Sequence, residues 1–258
     1  MSFSDVDAAE NPAGLVRHLD RADITGAEVR TGLRQLLAST PGEVIVDVGA
    51  GVGHDVIALA QSGNRVIGVE PSQTLLAEAR ARAAGAGVSP GLVRAWGEAL
   101  PFPTASAGAC LVDRVLQHVV DPAVVLAELH RILAPRGRLV VWDNDWGTFS
   151  IDLDDLEAVE AIARCRTAAM AQGRIGLRLR GLLLRAGFVE VDCQPIPRHV
   201  TSIADTAVRF DLAVARTVRA GLLSEDRAER LREQMGEALE EGTFWASWNR
   251  YLAIATRP

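Results

Sequence analysis

The segment EVIVDVGAGVG, residues 43–53, constrains the fold of this chain more than any other. Residues 43–48 form a nearly continuous β-branched run, the pattern of a strand buried on both faces. Glycines at 49, 51 and 53 follow at once, and residues 54–61 read as a helix. Glycine adopts the left-handed backbone angles of a sharp strand-to-helix turn, and it lets main chain approach a ligand closely. A strand, a glycine turn and a helix form the opening unit of a parallel sheet.

The alternation continues. Residues 65–69 read as a second strand, 72–84 as a helix, 91–95 as a third strand and 109–112 as a fourth. Asp121 and Pro122 predict a helix start, aspartate as N-cap and proline in the first turn, with the helix ending near Pro135 and Gly137. Residues 138–142 read as a fifth strand, and 26–38 as a helix ahead of the first. Beyond Trp142 the order changes. Helices are expected over 153–171, 176–186, 203–220 and 225–241, with Ser224 as an N-cap, and strands over 188–194 and 249–256. The expected fold is α/β: a Rossmann-like, seven-stranded, mostly parallel sheet with helices on both faces and an added helical cap. The chain reads as a single domain over 1–258. Residues 1–25 form an N-terminal lid or arm, 26–148 the ligand-binding core, 149–173 and 203–242 cap insertions, and 188–194 and 249–256 the last strands.

Composition narrows the function classes. A chain of 258 residues with a formal net charge of −6 and no basic block argues against a nucleic-acid partner. Its 27 basic residues are all arginine, which reads as codon usage and excludes a lysine Schiff base. The three cysteines, Cys110, Cys165 and Cys193, have neither zinc nor C-x-x-C spacing, so no metal site is expected. The acidic start is unlike a signal peptide and no run is long enough to span a membrane, so a cytoplasmic protein is expected. The sequence leaves a homodimer open.

Open parallel sheets bind ligands beyond the carboxyl ends of their strands. A glycine loop alone also fits any tight turn, but Glu70 closes the second strand, where a carboxylate can accept hydrogen bonds from two ribose hydroxyls. The pair points to an adenosine-type cofactor. A dinucleotide fingerprint would put its third glycine at 54, where this chain has His54. Glu98, in the loop GEALPF, can accept from an adenine amino group, although an exposed loop acid would look the same.

Five segments in order resemble the class I S-adenosylmethionine-dependent methyltransferases: 44–60 (VIVDVGAGVGHDVIALA), 66–72 (VIGVEPS), 97–103 (GEALPFP), 113–119 (DRVLQHV) and 126–141 (LAELHRILAPRGRLVV). The likeness is greatest to the branch of ubiquinone/menaquinone-biosynthesis and small-molecule natural-product enzymes. The resemblance implies S-adenosyl-L-methionine as cofactor and S-adenosyl-L-homocysteine as product. It implies that Asp47, Gly49, Ala50, Gly51 and Gly53 shape the pocket for the methionine part and the adenosine. Glu70, with Pro71 and Ser72, would hold the ribose, and Gly97, Glu98 and Ala99 would meet the adenine. The backbone near Arg114 would meet the methionine amino group. The resemblance also implies that 249–256 is an antiparallel seventh strand.

Methyl transfer from a sulfonium is a direct displacement, so the protein must align the reactants and exclude water more than supply acid or base. A hydroxyl or carbon acceptor usually needs a base, and His118, beyond the fourth strand, is the candidate. A helix-start packing role is the alternative. His199 is a second candidate to face the acceptor, and His18 and His54 could touch cofactor. Residues 142–149 (WDNDWGTF) read as a strand-end loop in which Asp145 and Trp146 face the substrate. Equally, the aspartates could cap the next helix and the tryptophans could be core. Trp245, ahead of the last strand, could line the same pocket. The cap and the aromatic loop favour a small, lipophilic or aromatic acceptor. The competing readings are a non-methylating enzyme on the same scaffold, such as a cyclase, a nicotinamide-dependent oxidoreductase, and a non-catalytic binding module.

Overall fold

A computed structural model describes residues 7, 16, 17, 19, 20, 27–37, 42–202 and 210–258. His18, most of the expected N-terminal arm and residues 203–209 of the expected cap lie outside these. The elements are, in chain order, α1 (Ala27–Leu36), β1 (Val44–Val48), α2 (His54–Gln61), β2 (Arg65–Val69), α3 (Gln73–Gly85), β3 (Gly91–Val93), β4 (Ala107–Asp113), α4 (Pro122–Ile132), β5 (Leu133–Ile151), α5 (Leu156–Ala168), α6 (Ile175–Arg185), β6 (Val189–Val200), α7 (Phe210–Arg219), α8 (Glu225–Glu241) and β7 (Ala246–Thr256).

The seven strands form one sheet in the order β3-β2-β1-β4-β5-β7-β6. β1 to β5 pair in parallel, and β7 runs antiparallel between β5 and β6. This is the Rossmann-like topology expected, including the antiparallel last strand. Alternate residues of β1 and β4 go to opposite layers, because successive side chains of a strand point to opposite faces. Val46, Val48, Cys110 and Val112 join the layer covered by α4 and α6. Ile45, Ala109 and Leu111 join that covered by α1 and α2. Burial on both faces is why these strands read as continuous apolar runs.

A second core lies above the strand ends. It unites the ends of β5 and β7 (Trp146, Phe149, Ile151, Ala246, Trp248) with α5, α7 and α8. Here one expectation is corrected. Residues 142–149 are not a strand-end loop: β5 continues to Ile151, pairing with β7 as far as Ile151↔Ala246. Asn, Asp and Gly in this stretch suggest a turn, but they serve a bulge between Asp145 and Ser150. There the Gly147 N–H donates to Asp145 Oδ1 at 2.9 Å, and Thr148 Oγ1 accepts from the Asn249 N–H at 2.8 Å. A Cβ at Gly147 would lie 2.6 Å from Arg174 Nε, so a larger residue there would require the Arg174 side chain to shift. The long β5–β7 ribbon carries the cap, and residues 149–151, expected within the helical insertion, belong to the ribbon.

Candidate active site

A cavity of about 350 Å³ lies between the carboxyl ends of β1, β2 and β4 and the cap. Its floor is the glycine turn. Gly49, Gly51 and Gly53 all have positive φ, at 81°, 55° and 86°. The need for glycine is strictest at Gly49, where a Cβ would come 2.2 Å from Val115 Cγ2. Turn and 113–119 loop therefore pack main chain against side chain.

Glu70 is buried at the edge of this floor. Its Oε2 accepts from the Gly51 N–H and its Oε1 from the Ser72 N–H, each at 3.0 Å. A carboxylate has about four acceptor positions, so these two bonds orient the group and leave capacity for a ligand. Burial pushes the Glu70 pKa up, opposed by the bonds from Ser72 and Gly51. Beside it Ser72 caps α3, accepting from the Leu75 N–H at 3.1 Å. Asp7 reaches the same helix start and accepts from Ser72 Oγ at 2.6 Å and from the Gln73 N–H at 2.9 Å. Leu19 lines the cavity, and the neighbouring Asp20 pairs with Arg82 at 2.5 Å and with His54 at 3.2 Å. Thus the described residues of the N-terminal segment close one side.

Beneath the floor runs a charge network that the sequence does not announce. Arg30 of α1 bridges Asp55 of α2, at 2.5 Å, and Asp113 of β4, at 3.0 Å. Arg34 adds a second contact to Asp55 and Arg114 a second to Asp113, at 2.7 and 2.9 Å. Apart from the adjacent Asp113 and Arg114, these pairs are distant in sequence, 25 residues for Arg30–Asp55 and 21 for Arg34–Asp55, so no local motif marks them. Burial raises the Asp47 carboxyl, and the Asp55 and Asp113 charges raise it further. Asp113 is held low despite burial, because the Arg114 and Arg30 guanidinium groups face it.

The 113–119 loop is pinned from behind. Asp143, fully buried on β5, accepts from the Gln117 N–H at 3.1 Å and from the Asn144 N–H at 2.9 Å. Gln117 Oε1 accepts from Trp146 Nε1 at 2.8 Å, and its Nε2 donates to the Arg114 carbonyl at 3.2 Å. Arg114 takes a positive φ of 57°. His118 faces the cavity, half-buried, with its pKa lowered to about 4 by burial and by the Arg114 charge. It is a neutral imidazole at pH 7 and a weak base.

Of the residues singled out from sequence, Asp47, Gly49, Ala50, Gly51, Glu70 and Pro71 line the cavity, as do Gly97, Glu98, Arg114, His118 and Trp146. Gly53, Ser72 and Ala99 stand behind this wall: Gly53 precedes α2 against Ala79, Ser72 caps α3, and the Ala99 N–H bonds the Trp96 carbonyl. Three others lie outside this lining. Asp145 is fully buried but does not line the cavity, because it is one residue out of phase with Asn144 and Trp146 and faces α6. His199 and Trp245 also lie outside the lining, stacked on each other at 4.5 Å near the edge strand β6. Sequence reasoning missed Arg30, Asp55, Asn144, Arg166, Met170, Arg216 and Arg250, all of which line the cavity. No group of three or more potential metal ligands occurs among the described residues. No described helix is long and apolar enough to cross a membrane.

The comparisons agree with this geometry. Residues 46–141 match the methyltransferase-domain family. The chain is 34% identical over 250 residues to an uncharacterized 37.1 kDa protein in transposon TN4556 of Streptomyces fradiae, covering 93% of this chain and 70% of that one. It is 37% identical over 132 residues to an uncharacterized methyltransferase of Mycobacterium marinum, and spans 51% of that relative's length. In structure it is similar to a Haemonchus contortus phosphoethanolamine N-methyltransferase solved with S-adenosylhomocysteine, with a TM-score of 0.61 at 14% identity, covering 100% of this chain and 60% of that one. The chain belongs to the class I S-adenosylmethionine-dependent methyltransferases. It is an enzyme of that class, and its cofactor is S-adenosyl-L-methionine.

Proposed function

We propose that this chain methylates a small, lipophilic or aromatic metabolite by in-line displacement inside the cavity. The observation that carries the reading is the cavity of about 350 Å³ between the glycine turn and a wall of Trp146, Met170, Leu212 and Ala213. Such a space suits a small molecule better than a polymer, and the net charge of −6 disfavours nucleic acid.

The residues fit the cofactor. Glu70, fixed by two backbone N–H groups, has acceptor capacity for two ribose hydroxyls. Glu98 and Gly97 line the same cavity and would meet the adenine. Asp47, Gly49 and Gly51 would surround the methionine end, with the Arg114 carbonyl, turned by its positive φ, accepting from the amino group. When bound, the cofactor supplies an electrophilic methyl on a positive sulfur. The protein's own part is positioning and water exclusion. His118 would orient an acceptor hydroxyl or take its proton.

The test is calorimetry with S-adenosylhomocysteine, followed by transfer of labelled methyl groups to a panel of aromatic and lipophilic acceptors. Glu70→Ala should weaken S-adenosylhomocysteine about 100-fold, since two hydrogen bonds to a charged acceptor contribute about 1.5 kcal/mol or more each. No binding by the parent protein, or no effect of Glu70→Ala, would refute the cofactor placement. Label passing only to proteins or nucleic acids would refute the acceptor class.

A further inference from the structure

The two sides of the cavity differ in charge. The glycine-turn side mixes both signs: Asp55 and Asp113 are paired with Arg30 and Arg114, while Asp47, Glu70 and Glu98 add three further carboxylates. The cap wall built by α5 and α7 presents Arg166 and Arg216 and, among the described residues, no carboxylate. The remainder of that wall is Cys165, Met170, Leu212 and Ala213. Arg166 is held by stacking, its guanidinium carbon 4.3 Å from the Trp146 ring centre and 4.5 Å from that of Phe149. A stacked guanidinium keeps its N–H donors in the ring-parallel plane, with the edge directed outward. Arg216 is half-buried on α7, and its side chain makes no ion pair or hydrogen bond among the described residues. Elsewhere in the cap, Arg227 is paired with Asp155 at 2.6 Å and with Glu157 at 3.1 Å.

Two guanidinium groups on one apolar wall, one of them without a counter-charge among the described residues, suit a ligand that brings the anion. The planar N–H fork of arginine matches carboxylate and phosphate oxygens. An enclosed site strengthens such contacts, because water screens them less. The same segregation suits the two reactants: a positive sulfonium toward the carboxylates, a negative group toward the cap.

We propose that the methyl acceptor carries an anionic oxygen group, a carboxylate or a phosphate, bound at the cap wall by Arg166 and Arg216. This rests on the reading of the cavity as the acceptor site. The apolar body of the acceptor then lies between Met170, Leu212 and Trp146, and its nucleophile points toward His118.

The test uses the full chain saturated with S-adenosylhomocysteine. Benzoate is titrated beside benzamide, and phenyl phosphate beside benzyl alcohol, followed by calorimetry. One anion of each pair should bind about tenfold or more tightly than its neutral counterpart, the loss of a single charge-assisted hydrogen bond. The tighter anion distinguishes carboxylate from phosphate. Arg216→Gln should remove that preference and leave S-adenosylhomocysteine affinity unchanged. Arg166→Lys keeps the charge but loses the stacked fork, and should weaken the anion less than Arg166→Gln does. Neutral and anionic probes binding alike, no anion binding to the loaded protein, or anion affinity indifferent to Arg216→Gln each overturn the proposal. Failure to bind S-adenosylhomocysteine is a separate result, seen before any probe is added, and it overturns the underlying reading as well.

Discussion

At the scale of single residues, the site depends on where a side chain is missing. Gly49 has φ 81°, and a Cβ there would stand 2.2 Å from Val115 Cγ2 but 3.4 Å from Val115 Cβ. Gly49→Ala thus incurs two costs: the left-handed backbone, about 1–2 kcal/mol, and displacement of the 113–119 loop. Val115→Ala removes only the second. Denaturant unfolding of the two single variants and the double variant should show that the pair is less destabilised than the sum. Strict additivity would mean that turn and loop do not press on each other. His118 gives a kinetic prediction. Burial and Arg114 lower its pKa to about 4. If the neutral imidazole serves the reaction, kcat/KM should show no inflection near 6.5, the value of a free histidine, and an acid limb attributable to this residue should fall near pH 4. The profile of His118→Asn identifies which limb is its own. Such residue-level features were legible where they are local. Gly49 and Glu70 each follow a strand directly and Glu98 lies five residues beyond β3, so strand ends and candidate site residues fall close together. Arg30, Asp55 and Asp113 meet only because α1, α2 and β4 converge, and no spacing records that.

At the scale of elements, β5 is where sequence reasoning and structure part. The first five strands, their helices and their order were legible, because each is a short apolar run bounded by glycine or proline. The extension of β5 was not, because Asp143, Asn144, Asp145 and Gly147 have turn-forming side chains. Their polar groups are satisfied inside the ribbon instead: Asn144 Oδ1 accepts from Trp248 Nε1 at 3.0 Å and Asp143 from two backbone N–H groups. Asp143 makes this arrangement sensitive to pH. Burial is the chief cause that lifts its pKa to about 7, against an ordinary 3.8, opposed by the bonds from Asn144 and Gln117. Between those values the folded chain holds a proton that the unfolded chain releases. Stability from this group is therefore present below about pH 4 and is lost as pH rises through 7. The full loss is bounded at about 4 kcal/mol by 1.36 kcal/mol per unit of pKa difference. Asp143→Asn keeps the shape and one of the two acceptors but cannot ionise. Relative to the parent, the variant should gain stability between pH 5 and pH 8.5 in urea unfolding of cofactor-free protein. A difference independent of pH would mean that Asp143 does not change charge in that range.

At the scale of the whole molecule, the chain has a shared architecture and a private one. The sheet layers around β1 to β4 form one set of cores, and the cap core around Trp248, Phe244 and Leu231 forms another. The β5–β7 ribbon and the neighbouring β6 contribute to both. The methyltransferase-domain match ends at residue 141, before the cap begins, so the matched segment is the one that carries the glycine turn and Glu70. The cap was legible as helices but not as a wall, because which residues of α5 and α7 face inward depends on the ribbon beneath them. This division has a mechanical consequence. Leu231 of α8 is 1% exposed, in the cap core, and does not line the cavity. Leu231→Ala should cost about 2–5 kcal/mol through lost burial and a residual cavity. The cost should be confined to the cap, since α8 contacts α7 rather than the strands that carry the glycine turn. Amide hydrogen exchange should then quicken in α7 and α8 while β1, β2 and β4 keep their protection. S-adenosylhomocysteine affinity should stay at the parent value, while acceptor KM rises as Arg166 and Arg216 lose their fixed positions. If the variant lost cofactor affinity and cap protection together, the two cores would be one cooperative unit, and the acceptor wall could not have diversified independently of the cofactor floor.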